Sequence, residues 1–186
     1  MEPNLHKRCA PVGVDVSIGK LQEDLFIELT QEGWEHYNSY PRVYLINKGT
    51  DKEPMNYFDE EYSGVLFDDT MTVNSFFIAA DERTYDGTQG VWKQDVSMIV
   101  QAQLDKLYSE GNDRMDEQLV NQIRQAIKAR NWDMRLKGVV TGVEKVFKKF
   151  NIDYKGMATT DVGNYCVIRI DFTLLYDNTK YSNPIR

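Results

Sequence analysis

Carboxylates are the one reactive side-chain type this chain holds in abundance. Between Asp51 and Asp69 lie seven acids (Asp51, Glu53, Asp59, Glu60, Glu61, Asp68 and Asp69), with Lys52 as the only base. Hard divalent cations are bound through oxygen. Asp68 and Asp69, with Asp59, Glu60 and Glu61, could therefore gather one and support a metal-dependent enzyme. The run lacks the EF-hand spacing and its central glycine, so the competing reading is a solvated acidic loop. The other reactive types are sparse. The two histidines, His6 and His36, stand in no HExxH or His-x-His pattern, and the two cysteines, Cys9 and Cys166, form no CxxC. Zinc chemistry needs such spacings. Cys166 falls on the inward side of an alternating strand, where a thiol behaves as a small hydrophobe. Both cysteines read as reduced thiols, although their spacing leaves a disulfide open. There is no GxGxxG, P-loop or GxSxG. Gly87 and Gly90 precede a strand, whereas a phosphate loop opens into a helix. No catalytic, cofactor-binding or metal residue emerges, and the expectation is a protein without catalysis or cofactor.

The elements that would position any site are clearer. From Gln94, Val96, Met98, Val100, Ala102 and Leu104 alternate with mostly polar residues, which is a half-buried strand. The turn signal Ser109 to Asp113 ends it. Met115, Leu119, Ile123, Ala126 and Ile127 then recur at helical spacing. Tyr165 to Tyr176 alternates in the same way as the Gln94 strand. Thr70 to Ala80 is apolar on both sides at its middle and reads as a central strand. Asp81 to Gly90 reads as a turn-rich loop. A first helix is expected through Ile18, Leu21, Leu25 and Leu29, with Ser17 as N-cap and Gly33 as the residue after the C-cap. After a corner at Asn131 to Gly138, a further helix is expected, opened by a Thr141/Glu144 capping box and striped by Val143, Val146, Phe147 and Phe150. Arg42 to Asn47 is a short β-rich run. Lys148 and Lys149, with Lys145 and Lys155, are either the exposed side of that later helix or a patch that docks an acidic neighbour.

These elements predict an α+β, two-layer domain: a mainly antiparallel sheet of about four strands with two or three helices packed on one face. Its other face is expected to meet water or a partner. Residues 1–15 read as an N-terminal arm, 16–176 as the domain with an acidic loop at 48–70, and 177–186 as a C-terminal tail. The chain has 186 residues, 41% hydrophobic, enough for one core. A net charge of −7 argues against a sequence-independent nucleic-acid coat. No stretch reaches the ~20 apolar residues of a membrane span, and no apolar signal core opens the chain. The arms and loops exceed what a two-layer fold needs, and they carry Tyr57, Phe58, Tyr62, Tyr85 and Tyr181. These rings are either interface anchors or fold back on the core.

The order of elements, the strand end LDKLY (Leu104 to Tyr108), the helix NDRMDEQLVNQIRQAI (Asn112 to Ile127) and the closing strand YCVIRIDFTLLYDN (Tyr165 to Asn178) together carry a resemblance. The chain is similar to the tail-completion and tail-terminator proteins of tailed bacteriophages, and in particular to the ring proteins stacked below the portal in crAss-like phages. The resemblance spans Ile18 to Tyr176. It implies a structural virion protein made in the host cytoplasm. It further implies a homo-oligomeric ring in the head–tail connector, with neighbouring ring or tail proteins and the portal as partners. DNA would pass through it without sequence-specific binding. The family acts through assembly surfaces, so no catalytic residue is carried over. The candidate interface residues are Tyr57, Phe58, Tyr62, Asp68, Asp69, Tyr85, Lys148, Lys149 and Tyr181.

Overall fold

Two long strands carry the fold. The computed structural model describes residues 4–34, 37–66, 70–104, 115–128, 134–154 and 165–177. Within it, strand β7 (Val91–Gln103) pairs antiparallel with β9 (Tyr165–Tyr176) from Trp92↔Tyr176 to Gln103↔Tyr165 without a slip. The register sets Val96 beside Phe172, Met98 beside Ile170 and Val100 beside Ile168. Their shared side is buried, as the alternation predicts. On the other edge of β7 lies β6 (Val73–Asp86), also antiparallel. β6 is central, and each of its sides feeds a different core. Val73 and Phe77 enter one; Phe76 and Ile78 enter the other.

The protein is α+β, but its main sheet is larger and more mixed than about four antiparallel strands. Six strands run in the order β1 (Asn4–Leu5), β2 (Tyr37–Arg42), β6, β7, β9 and β8 (Met134–Thr141), with β1/β2 and β2/β6 parallel. β2 escapes a hydrophobic-pattern reading because it is a buried polar strand. Tyr37 Oη and Ser75 Oγ share a 2.7 Å bond, Ser75 Oγ donates to Ser39 Oγ, and Gln22 Nε2 donates to the Ser39 carbonyl. Asn38 bonds His6 Nε2 through Oδ1 and donates Nδ2–H to Tyr40 Oη, and satisfied in these ways Asn38, Ser39 and Ser75 are tolerated inside. The ribbon also extends further than expected. Asp81 to Asp86 belongs to β6, and only residues 87–90 turn. The Asp86 carboxylate accepts the Thr88 and Gln89 N–H groups to shape that turn.

Helix α1 (Val14–Gln31) and helix α2 (Met115–Lys128) cover one face of the sheet, burying Ile18, Leu21, Leu25, Leu29, Leu119 and Ile123. α1 starts at Val14 after Gly13, so Ser17 lies within its first turns and is not the N-cap. Gly33 does follow the C-cap as expected. With φ at 91° it lets its own N–H reach the Thr30 carbonyl and the Trp34 N–H reach Leu29. The later helix departs more. Residues from Met134 to Thr141 form edge strand β8 instead of a corner, and helix α3 spans only Val143–Lys148. Its N-cap is Gly142, without a side-chain cap bond, so the Thr141/Glu144 box does not form. α3 also packs on the opposite face of the sheet, where Val143, Val146 and Phe147 meet Phe76, Ile78, Ile99 and Val167. Thus helices lie on both faces. The apolar spacing of Val143, Val146 and Phe147 indicates a helix but not the face it covers.

The chain between β2 and β6 supplies the crossover that their parallel pairing demands. Much of it is a second sheet and not an irregular acidic loop: β3 (Tyr44–Lys48), β4 (Asp51–Phe58) and β5 (Glu61–Gly64) form an antiparallel meander. Val43 and Val65, on either side of it, anchor it in the second core. The presumed arm is likewise tied to its own chain. β1 pairs with β2, the His6 N–H reaches the Ser39 carbonyl, and Asp15 takes bonds from Arg8 and Arg42. Cys9 is exposed and Cys166 half-buried, and no disulfide joins them. Among the described residues, no helix is long and apolar enough to cross a membrane.

Candidate functional site

The β3–β4–β5 sheet gathers aromatics without burying them. Tyr57 pairs across from Tyr62, and Tyr44 across from Met55, two residues before Tyr57. Period-two geometry therefore puts all three tyrosines on one side. Their ring centroids lie 4.8 Å apart for Tyr57–Tyr62, 6.2 Å for Tyr44–Tyr62 and 6.4 Å for Tyr44–Tyr57. Exposure is 40% at Tyr44, 43% at Tyr57 and 52% at Tyr62, with Ile46 beside them at 38%. Phe58, pointing the other way, is 52% exposed. The turn that joins β4 to β5 is strained. Asp59 and Glu60 both have positive φ, 50° and 66°, which is type I′ geometry normally given to Asn-Gly. The Arg8 guanidinium lies 4.8 Å above the Tyr44 ring and also bonds its hydroxyl. The N-terminal segment thus borders this aromatic face.

A second display is the β6–β7 ribbon. Tyr85 is 57% exposed, pairs across from Trp92 and lies 5.1 Å from its ring, with Arg83 stacked over Trp92. Lys93 meets Asp86 at 2.6 Å; that bond, more than the turn N–H groups, holds the Asp86 carboxyl below the usual range.

The third feature is a polar strip on the α3 side of the main sheet. Ser97 Oγ donates to Asp171 at 2.5 Å, and Lys149 Nζ reaches Asp171 at 2.8 Å and Ser97 at 3.2 Å. Arg169 donates to Asp171 and to the Lys145 and Val146 carbonyls of α3. Further along, Lys137 and Thr173 bond Asp95. A serine between a lysine and an aspartate invites a nucleophile reading, but the chemistry is wrong. Burial pushes the Asp171 carboxyl up, while the bonds and charges of Lys149, Ser97 and Arg169 outweigh it and hold the carboxyl below the usual range. Asp171 is then an ion-paired acceptor and a poor base for Ser97. The cluster fastens α3 to β7 and β9.

The structure brings Tyr57 and Tyr62 together, keeps Phe58 on the same small sheet, and sets Tyr85 apart on the ribbon. Lys148 is exposed on α3, whereas Lys149 is engaged with Asp171. Asp68, Asp69, Tyr181, Lys155 and His36 lie outside the described residues. The acids Asp51, Glu53, Asp59, Glu60 and Glu61 are spread along strands and a turn, and among the described residues no group of three or more His, Cys, Asp or Glu could hold a metal ion. Sequence reasoning misses Tyr44, Ile46 and Trp92 as exposed or cross-strand partners. The alternation Tyr44–Ile46 is a signal, but only the pairing register says which side faces out. In comparisons with known proteins, no protein-family model matches the chain and no curated protein matches it.

Proposed function

We propose that this chain is a structural virion protein, one subunit of a closed ring in the portal-to-tail connector of a tailed phage. The observation that carries the reading is the outward display of Tyr44, Ile46, Tyr57 and Tyr62 on the uncovered side of the small sheet. Aromatic rings held on a fixed scaffold are favoured interface anchors. The projecting ribbon with Tyr85 and Trp92 supplies a second contact element. A ring needs two different surfaces that meet head to tail between identical copies. The net charge of −7 suits a conduit that does not grip passing DNA. In this reading the protein acts through its surfaces, extends the DNA conduit and docks the next connector or tail component. The polar strip at Asp171 is then structural.

Proteomic detection of the chain in purified virions, with cryo-EM density for it in a ring below the portal, is the expected outcome. Its absence from purified virions would overturn the assignment, and a stable monomer with a soluble partner would indicate a binding module instead.

A further inference from the structure

β8 ends the main sheet and β5 ends the small one; among the described residues neither has a strand on its outer side. Such an edge offers backbone N–H and C=O groups to any strand that can lie beside it. The side chains of β8 sort by side. Leu136 and Val139 stand level with Phe172 and Ile170 of β9 and share their side, yet they are 48% and 36% exposed. Arg135 stands level with Thr173, on the α3 side. α3 packs beside β8 and exposes Lys145 and Lys148, with Glu144 as its one acid. Arg135, Lys145 and Lys148 make no ion pair among the described residues. Lys137 is the residue that would guard this edge, but it reaches back across β9 to Asp95 at 2.6 Å.

β5 carries the same division with the opposite charge. Tyr62 stands on the side of Tyr57 and Tyr44, and Glu61 and Ser63 point the other way. Asp59, Glu60 and Glu61 are three exposed acids in succession, none in an ion pair among the described residues. With β5 of one copy laid along β8 of the next, one of the two strand directions matches both sides. Tyr62 then joins the side of Leu136 and Val139, and Glu61 the side of Arg135. The β8 bulge between Leu136 and Gly138 limits such pairing to a short strand, and β5 has four residues. The remaining edges fit less well: β1 is two residues long and β3 holds no acid.

We infer that β5 of one copy pairs edge to edge with β8 of the next, joining the two copies into one continuous sheet. The occupant of the β8 edge is a second copy of this chain, because one chain carries both an acidic and a basic edge at different places. That is the requirement for a head-to-tail contact, and the inference rests on the ring reading.

The test is native mass spectrometry of the full chain with two charge-reversed variants, Glu60→Lys/Glu61→Lys and Arg135→Glu/Lys148→Glu. All four positions are exposed, so both variants keep the wild-type circular dichroism. Each alone is expected to lose the wild-type oligomer, since like charges then meet. Mixing the two is expected to restore oligomers that contain both, and to slow amide hydrogen exchange in β5 and β8. Arg135→Gln/Lys148→Gln, which removes charge without reversing it, is expected to weaken assembly about tenfold, the scale of two exposed ion pairs; it decides the matter if a reversed variant fails to fold. An oligomer that survives in either folded reversed variant, failure of the mixture to reassemble, or unchanged assembly in the neutral variant overturns the edge pairing and leaves the ring reading standing. A wild-type monomer at every concentration overturns both.

Discussion

The two sheets of this protein use the same residue types to opposite ends. The six-stranded sheet buries Tyr37, Phe76, Phe77 and Phe172 completely or nearly so, each packed in one of the two cores. The three-stranded sheet leaves Tyr44, Tyr57, Phe58 and Tyr62 outside. The first arrangement is what hydrophobic burial demands, at about 25 cal/mol per Å² of apolar surface. The second forgoes that gain at four aromatic positions. Aromatic content therefore says little here; what separates scaffold from display is whether a second layer covers the face.

The largest break in this comparison is expected from Val100→Asp. Val100 is fully buried between β6 and β9, and an unpaired carboxylate there leaves no cooperatively folded protein, as circular dichroism would show. Phe77→Ala should cost roughly 3–5 kcal/mol in urea unfolding, since it opens a cavity in the main core. Tyr57→Ser with Tyr62→Ser should cost only about 1 kcal/mol, the scale of exposed cross-strand pairs. A loss at the two tyrosines comparable with that at Phe77 would mean the small sheet has a hidden core role. Replacing Asp59–Glu60 by Asn–Gly should raise stability by roughly 1 kcal/mol, because the turn then has residues that accept its positive φ values. The smallest effect is electrostatic. The Asp171 carboxyl is held below its ordinary value of 3.8, so its contribution is present above that pH and fades as pH falls below it. Asp171→Asn should flatten that acid limb of stability. An unchanged limb would remove Asp171 from the account of how α3 is fastened.

Much of the main sheet is legible in the sequence. β7, β9 and the middle of β6 follow from period-two alternation, and α2 from Leu119, Ile123 and Ala126 at helical spacing. Where sequence reasoning fails, the cause is tertiary. β2 is hidden because Asn38, Ser39 and Pro41 carry no strand pattern, and their burial depends on Gln22 and Ser75, distant in sequence. β8 is hidden because it is an exposed edge strand with little apolar alternation, and its first residues, ending in Gly138, read as part of a corner. Of the meander, β3 is legible in the β-rich run Arg42 to Asn47; β4 and its pairing are hidden because the acids suggest solvation, whereas strand pairing needs only backbone bonds and a few anchors such as Val43 and Val65. Of the candidate surface, Tyr57, Phe58, Tyr62 and Tyr85 are visible as unassigned aromatics. Their grouping with Tyr44 is not, because it rests on the Tyr44↔Met55 register.

The central claim is that the uncovered aromatic sheet exists for assembly, and native mass spectrometry of the purified chain tests it most directly. The account predicts one closed oligomer of single stoichiometry for the wild type and folded monomers for Tyr57→Ser/Tyr62→Ser. A wild-type monomer at every concentration, or an unchanged oligomer in the double variant, would contradict it.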